Sequence, residues 1–68
     1  MSYVVVFERT EGSVGAYVPD LPGCVAVGKT KEEATELIRS AIAMHLKAMR
    51  EEGLPIPEPA STVESIEV

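Results

Sequence analysis

The sequence predicts an α+β fold, a small two-layer β-β-β-α-β domain with one helix on one face of one antiparallel sheet. Three short segments rich in β-branched residues lie within the first 28 residues, and turn-forming glycines and prolines separate them. One amphipathic segment follows, with apolar residues at the three- and four-residue spacing of a helix that covers a sheet. A chain of 68 residues allows only one domain, so we expect a single unit spanning residues 1–68.

The first predicted strand, residues 3–9, is apolar on both of its faces. Tyr3, Val5 and Phe7 point one way and the valines between them point the other way, because side chains alternate across a strand. We therefore expect this strand to lie centrally in the sheet. The single helix covers one face, so the other face needs a partner.

The next two strands are shorter. Residues 14–18 predict the hairpin partner of the first strand, and Gly15 within them predicts either a bulge or a close backbone approach. Two prolines exclude a ladder strand at 19–23, which must be a loop. Residues 24–27 then predict a third strand that ends at Gly28.

The helix has clear signals at both ends. Thr30 and Glu33 form a capping box, in which the Thr30 hydroxyl accepts from the Glu33 amide and the Glu33 side chain reaches back. The helix should run over residues 31–52 and end at Gly53 in the C′ position. Its apolar stripe comprises Ala34, Leu37, Ile38, Ala41, Ile42, His45, Ala48 and Met49.

The segment after the helix contains prolines at positions 55, 57 and 59. Proline pushes the residue before it away from helical angles, so this segment should be a stiff, extended return across the sheet. Residues 61–68 alternate imperfectly and predict a last strand.

The composition excludes several classes of protein. The net charge is −5 and the six basic residues are scattered, so a surface for nucleic-acid phosphates is not expected. The excess of acidic residues is compatible with ordinary solubility and also with binding to a basic partner. No apolar run approaches the ~20 residues of a membrane span, and no signal-peptide pattern is present. One unpaired cysteine is compatible with a reducing compartment, so we expect a cytoplasmic protein.

Nothing in the sequence predicts a catalytic, metal or cofactor site. The only histidine, His45, lies in the apolar stripe of the helix, and this position predicts a buried or interface residue. His45 is therefore a candidate for a self-interface. Cys24 follows a Pro-Gly turn and reads as a thiol in or near the core. Asp20 in the same loop reads as a turn residue that bonds its own backbone.

Small size predicts association. A chain of this length buries only ~60% of the surface that its unfolded form exposes. The single cysteine, Cys24, excludes an internal disulfide, which leaves oligomerisation or unusually good packing. Strand alternation places the candidate partner-binding residues on the exposed sheet face, although a register error of one residue would move them to the core side. They are Tyr3, Val5, Phe7 and Tyr17.

A composite motif resembles the HicB-like antitoxin family. It consists of YVVVFE at 3–8, YVPDLPGC at 17–24, GKTKEEA at 28–34 and IPEP at 56–59, with Ala41-Ile42, His45-Leu46 and Gly53 between the last two blocks. The resemblance covers nearly the whole chain, from Tyr3 to about residue 59.

The resemblance implies a partial ribonuclease-H-like fold without implying nuclease activity. It implies an antitoxin that binds a small, basic, HicA-like toxin, masks that mRNA-cleaving ribonuclease, and forms dimers or tetramers. Many family members also carry a C-terminal DNA-binding domain. The sequence ends with the predicted last strand, at Val68, and leaves no room for such a domain, so we expect no DNA binding from this chain.

Two other functions stay open at this point. A sheet with one helix is similar to RNA-binding folds, and stacking on RNA would need Tyr3, Phe7 and Tyr17 exposed on the open sheet face. An orphan oligomeric interaction domain without a toxin partner is equally compatible with the composition. A metal-dependent nuclease is disfavoured, because the strands carry only Glu8 where several converging carboxylates are needed.

Overall fold

The computed structural model describes residues 1–68 and contains three strands and one helix. They are β1 (Val6–Thr10), β2 (Ser13–Tyr17), β3 (Val25–Gly28) and α1 (Lys31–Glu51). The strands form one antiparallel sheet in the order β1-β2-β3, and the helix packs on one face of it. The predicted α+β class, with one helix on one sheet, is confirmed.

Two predictions about the sheet are wrong. Residues 61–68 do not form a fourth strand, because hydrogen bonds from Ala60 and Ser61 to the loop after β2 carry this segment past the end of the sheet. The first strand is not central either, since β2 pairs with both of its neighbours and β1 is an edge strand. β1 also begins three residues later than predicted, at Val6.

The hairpin between β1 and β2 fixes the register of the sheet. Its turn places Gly12 at a φ of 79°, in the left-handed region that glycine tolerates best. The pairing then runs without interruption and sets Phe7 opposite Ala16 and Glu8 opposite Gly15. Gly15 is therefore not a bulge.

The helix begins and ends as its sequence signals predict. The Thr30 hydroxyl accepts from the Glu33 amide at 3.1 Å, while the Glu33 carboxylate accepts from the amide of Lys29 at 2.9 Å, one residue earlier than expected. At the other end Gly53 has a φ of 71°. Its amide bonds to the Arg50 carbonyl and the next amide, of Leu54, bonds to Met49, which is a Schellman motif.

The core is small and lies between the helix and the second and third strands. Leu21 from the β2–β3 loop is fully buried at its centre, and Cys24 is buried as predicted. The helix packs over β2 and β3 and hardly touches β1. The inner face of β1 is therefore only partly covered. The buried apolar side chains are Val14, Ala16, Val18, Leu21, Cys24, Ala34 and Ile38.

One glycine sets how closely the helix approaches the sheet. A Cβ atom on Gly28 would lie 2.6 Å from the backbone nitrogen of Ala34 and 3.1 Å from its Cα. Both atoms belong to the first turn of the helix and cannot rotate away. Only glycine therefore allows β3 and the start of α1 to pack at this distance.

Candidate functional site

The sheet has one face that the helix does not cover, here called the open face. Its centre is a row of Val6, Tyr17 and Val25, which are paired across the three strands, and Val27 lies in the next row opposite Gly15. Tyr17 is 39% exposed, Val25 63% and Val27 65%. Three exposed apolar side chains and the half-buried Val6 thus form a continuous patch on the sheet.

The open face combines apolar side chains with a charged border. An aromatic residue flanked by aliphatic ones is typical of the anchors at protein interfaces. Glu8, which pairs with Gly15 in the row of Val27, supplies a carboxylate at the border of the patch. Contiguous apolar patches with a polar border mark interaction sites on soluble domains.

Only one of the four predicted partner-binding residues lies on the open face. Tyr17 does, whereas Tyr3, Val5 and Phe7 pack against the core on the helix side of the sheet. The reason is the register, because Phe7 pairs with Ala16, which is buried beneath the helix. Val6, Val25 and Val27, which were not among the predicted residues, lie on the open face with Tyr17.

This placement removes the basis of the RNA-binding alternative. A stacking platform would need several aromatic rings on the open face. Tyr3 and Phe7 face the other way, and the ring of Phe7 is further covered by the Lys31 ammonium at 5.2 Å from its centroid. Tyr17 is the one aromatic side chain on the open face.

His45 lies elsewhere, at the edge of the sheet formed by β3. It is partly buried in a shallow depression shared with Cys24, Val25 and Met44, and Met44 is 70% exposed. The proposed role of His45 in a self-interface stays a prediction. No group of three or more His, Cys, Asp or Glu side chains comes together in the fold.

The comparison with known proteins settles the family. A model of the HicB-like antitoxins of bacterial toxin-antitoxin systems matches residues 3–67. This chain belongs to the HicB-like antitoxin family. Membership supports a role in a toxin-antitoxin system and is compatible with a regulatory protein. The helix is not long and apolar enough to cross a membrane.

Several relatives of this HicB-like chain have similar sequences. A UPF0150 protein of Thermoplasma acidophilum is 38% identical over 58 residues, which make up 84% of this chain and 84% of the relative. A UPF0150 protein of Helicobacter pylori is 46% identical over 41 residues, or 60% of this chain and 57% of the relative. A 14.9 kDa protein of Haemophilus phage HP1 is 33% identical, and the match covers 85% of this chain but 44% of the phage protein.

A solved structure is similar as well. A chain of a HicA3 and HicB3 toxin-antitoxin complex superposes with a TM-score of 0.74 and is 30% identical in sequence. The match covers 88% of this chain and 70% of that chain. The likeness therefore extends over nearly the whole HicB-like domain.

The loop that carries the family motif organises the fold rather than a reaction. Asp20 was predicted to bond its own backbone, which is wrong. Its Oδ2 accepts from the amides of Ala60 and Ser61, both at 3.0 Å, and its Oδ1 accepts from the Ser61 hydroxyl at 2.9 Å. These three bonds are here called the Asp20 clamp. The amide of Ser61, then that of Ala60, lowers the pKa of the Asp20 carboxyl, because both stabilise its ionised form.

Two neighbours of Asp20 complete the role of the loop. Leu21 fills the core, and burial raises the pKa of the Cys24 thiol, which disfavours the reactive thiolate. The segment after the helix, here called the return segment (residues 54–61), is fixed at a second point, where the Tyr3 hydroxyl donates to the carbonyl of Pro57. The motif thus ties the β2–β3 loop to the chain that follows the helix.

Proposed function

We propose that this chain is the antitoxin of a toxin-antitoxin pair and neutralises a HicA-like toxin that cleaves mRNA, by binding the toxin and masking it. The observation that carries the proposal is the 30% identity, over 88% of the chain, to a chain of a HicA3 and HicB3 toxin-antitoxin complex. The pair would act in the cytoplasm, where its messenger RNA target lies.

The open face is the surface that we assign to the toxin. Tyr17, Val25 and Val27 present exposed apolar area on a sheet whose backbone is already ordered, so binding costs little conformational entropy. These side chains play no part in the buried core. Covering them would remove apolar surface from water without disturbing the fold.

Charge favours the same partner. The chain has a net charge of −5, and Glu8 borders the open face. A ribonuclease must attract the phosphates of RNA and is therefore basic around its substrate site. An acidic protein is steered towards such a site and competes with RNA for it.

The first experiment is a pull-down with the tagged protein from its own cell lysate, with the retained proteins identified by mass spectrometry. The proposal expects a small basic protein that degrades messenger RNA when free and is inactive when bound. Recovery of this chain alone, as an oligomer, would contradict the toxin partner and leave an orphan interaction domain.

Variants of the open face then test the surface. Val25→Glu combined with Val27→Glu should abolish toxin binding and the rescue of growth when the toxin is expressed together with the variant. Both positions are exposed, so the circular dichroism spectrum and Tm should change little. Ala43→Glu, on the exposed side of the helix, is the matched control and should protect cells like the unchanged protein. Full protection by the double variant would exclude the open face as the toxin site.

A further inference from the structure

One glycine of the sheet has no explanation within its own fold. Of the five glycines, Gly12, Gly23 and Gly53 have positive φ angles, and Gly28 lies against the helix backbone. Gly15 has no positive φ, and its pairing with both neighbouring strands is uninterrupted. Glycine within a strand is less stable than alanine, because its backbone loses more freedom on folding. Its position in the central strand therefore points to a contact with another molecule.

The space above Gly15 is open. Its neighbours Val14 and Ala16 are buried on the helix side, so a Cβ atom on Gly15 would point to the open face. The one atom within 4 Å of that Cβ would be the Glu8 carbonyl oxygen, at 3.9 Å. No part of the chain fills this space. A glycine within a strand often marks the site where a ligand or another chain approaches closely.

The missing side chain leaves a notch in the open face. Gly15 pairs with Glu8 on one side and with Val27 on the other, and Tyr17 lies on the same face two residues along β2. Neighbouring strands are about 4.8 Å apart, so the backbones that carry Glu8 and Val27 are about 10 Å apart across Gly15. This opening, with a floor of backbone atoms, is here called the Gly15 notch. Its walls are Glu8, Tyr17 and Val27.

One wall of the notch carries a negative charge without a counter-charge. Glu8 is exposed and forms no ion pair, since the single salt bridge of the fold joins Lys47 and Glu51. The other charged residue of the strands, Arg9, points to the helix side, because it pairs with the buried Val14. The notch therefore offers a free carboxylate to a partner.

An arginine side chain matches the notch in shape and chemistry. Its aliphatic stem packs on Val27, and its planar guanidinium stacks on the ring of Tyr17. The same group donates two parallel N–H bonds to the carboxylate of Glu8. Lysine carries a point charge without the plane, so it would use the carboxylate but not the ring in this way. The backbone floor admits the side chain because Gly15 has no Cβ.

We propose that the Gly15 notch binds one arginine side chain of the protein partner, with its guanidinium on the Glu8 carboxylate. This inference rests on the function proposed above and names the contact that would make it specific. A ribonuclease uses arginines to hold the phosphates of RNA. The carboxylate of Glu8 takes the position of a phosphate on such an arginine, so the toxin binds either RNA or this chain.

The test measures the affinity of variants of the full chain for the basic ribonuclease that the unchanged protein retains in the pull-down. Gly15→Val fills the notch and should raise the Kd at least about tenfold. Its Tm should stay the same or rise, because valine favours a strand more than glycine does. A purely structural role of Gly15 would instead lower the Tm together with the affinity.

Removal of the charge tests the guanidinium contact. Glu8→Gln keeps the shape of the wall and should raise the Kd about thirtyfold, because the guanidinium loses a charged partner in a site that binding dehydrates. Glu11→Gln is the matched control, since it removes the same charge from the exposed turn of the same hairpin. It should change the Kd by less than about threefold.

A double-mutant cycle then identifies the arginine on the partner. Each arginine of the ribonuclease is replaced by alanine and is measured against the unchanged chain and against Glu8→Gln. One replacement should weaken binding to the unchanged chain and cause little further loss with Glu8→Gln, because both changes remove the same contact. Equal losses against both chains for every arginine would overturn the proposal.

The other outcomes separate this inference from the function on which it rests. If the unchanged protein retains no ribonuclease, the proposed function fails and the arginine contact fails with it. If the ribonuclease binds Gly15→Val as tightly as the unchanged protein, the function stands and the notch is empty in the complex. Loss of binding in Gly15→Val but not in Glu8→Gln would mean that the notch receives backbone or an apolar side chain, which overturns the choice of arginine.

Discussion

Replacing Gly28 with alanine should destabilise the domain, because the new Cβ atom has no room. It would lie 2.6 Å from the Ala34 nitrogen and 3.1 Å from the Ala34 Cα and the Glu33 carbonyl carbon. All three are backbone atoms of the first helical turn, so the helix must shift away from β3. Overpacking of this kind costs about 1–3 kcal/mol, which lowers the Tm of a domain of this size by roughly 5–20 °C.

Gly15→Ala is the matched control in the neighbouring strand. The nearest atom to its Cβ would be the Glu8 carbonyl oxygen at 3.9 Å, an ordinary contact, and alanine should be tolerated there. Thermal melts of both variants, followed by circular dichroism at one protein concentration, give the comparison. A Tm for Gly28→Ala within about 2 °C of the Tm for Gly15→Ala would refute the argument from close backbone approach.

Three further predictions concern the β2–β3 loop. Leu21→Ala removes the one fully buried large side chain and should lower the free energy of unfolding, measured by urea titration, by about 2–5 kcal/mol. Leu37→Ala, at a position that is 44% exposed, should lower the free energy of unfolding much less. The Asp20 clamp stabilises the ionised carboxylate and lowers its pKa from 3.8. Its hydrogen bonds should therefore be intact at pH values above the ordinary pKa of aspartate and be lost as the pH falls through the lowered pKa. The amide NMR chemical shifts of Ala60 and Ser61 should therefore titrate below pH 3.8. In the Asp20→Asn variant these shifts should not titrate, and a titration there would assign the effect to another carboxyl group. Cys24 should react with a thiol reagent at pH 8 far more slowly in the folded protein than in urea, because burial raises the pKa of its thiol from 9.0. Equal reaction rates would mean that the β2–β3 loop opens freely in the folded protein.

Much of the fold followed from local signals. Local signals include the glycines in the turns, the N-cap residue Thr30 and Gly53 after the helix. Each acts on the backbone within a few residues, so the three short strands and the helix could be placed from the sequence. The strand limits moved by up to three residues, because pairing partners decide where a ladder begins.

The residues of the open face were predicted less well, although the sequence held a usable signal. A two-residue turn at Glu11 and Gly12 pairs Thr10 with Ser13, and counting back pairs Phe7 with Ala16. Phe7 and Tyr17 therefore cannot share a face. Once Tyr17 is placed on the open side, Val6 replaces Phe7 as its neighbour.

The sequence by itself determined the fold class, the helix limits, the buried thiol and the family resemblance, because these depend on local chemistry or on a long composite motif. Only the tertiary structure decided that β1 is an edge strand, that the helix is offset towards β3, and that Asp20 holds the return segment 40 residues further along the chain. Each of these depends on contacts between segments far apart in sequence. The same contacts leave the open face uncovered, and they therefore determine where the surface assigned to the toxin lies.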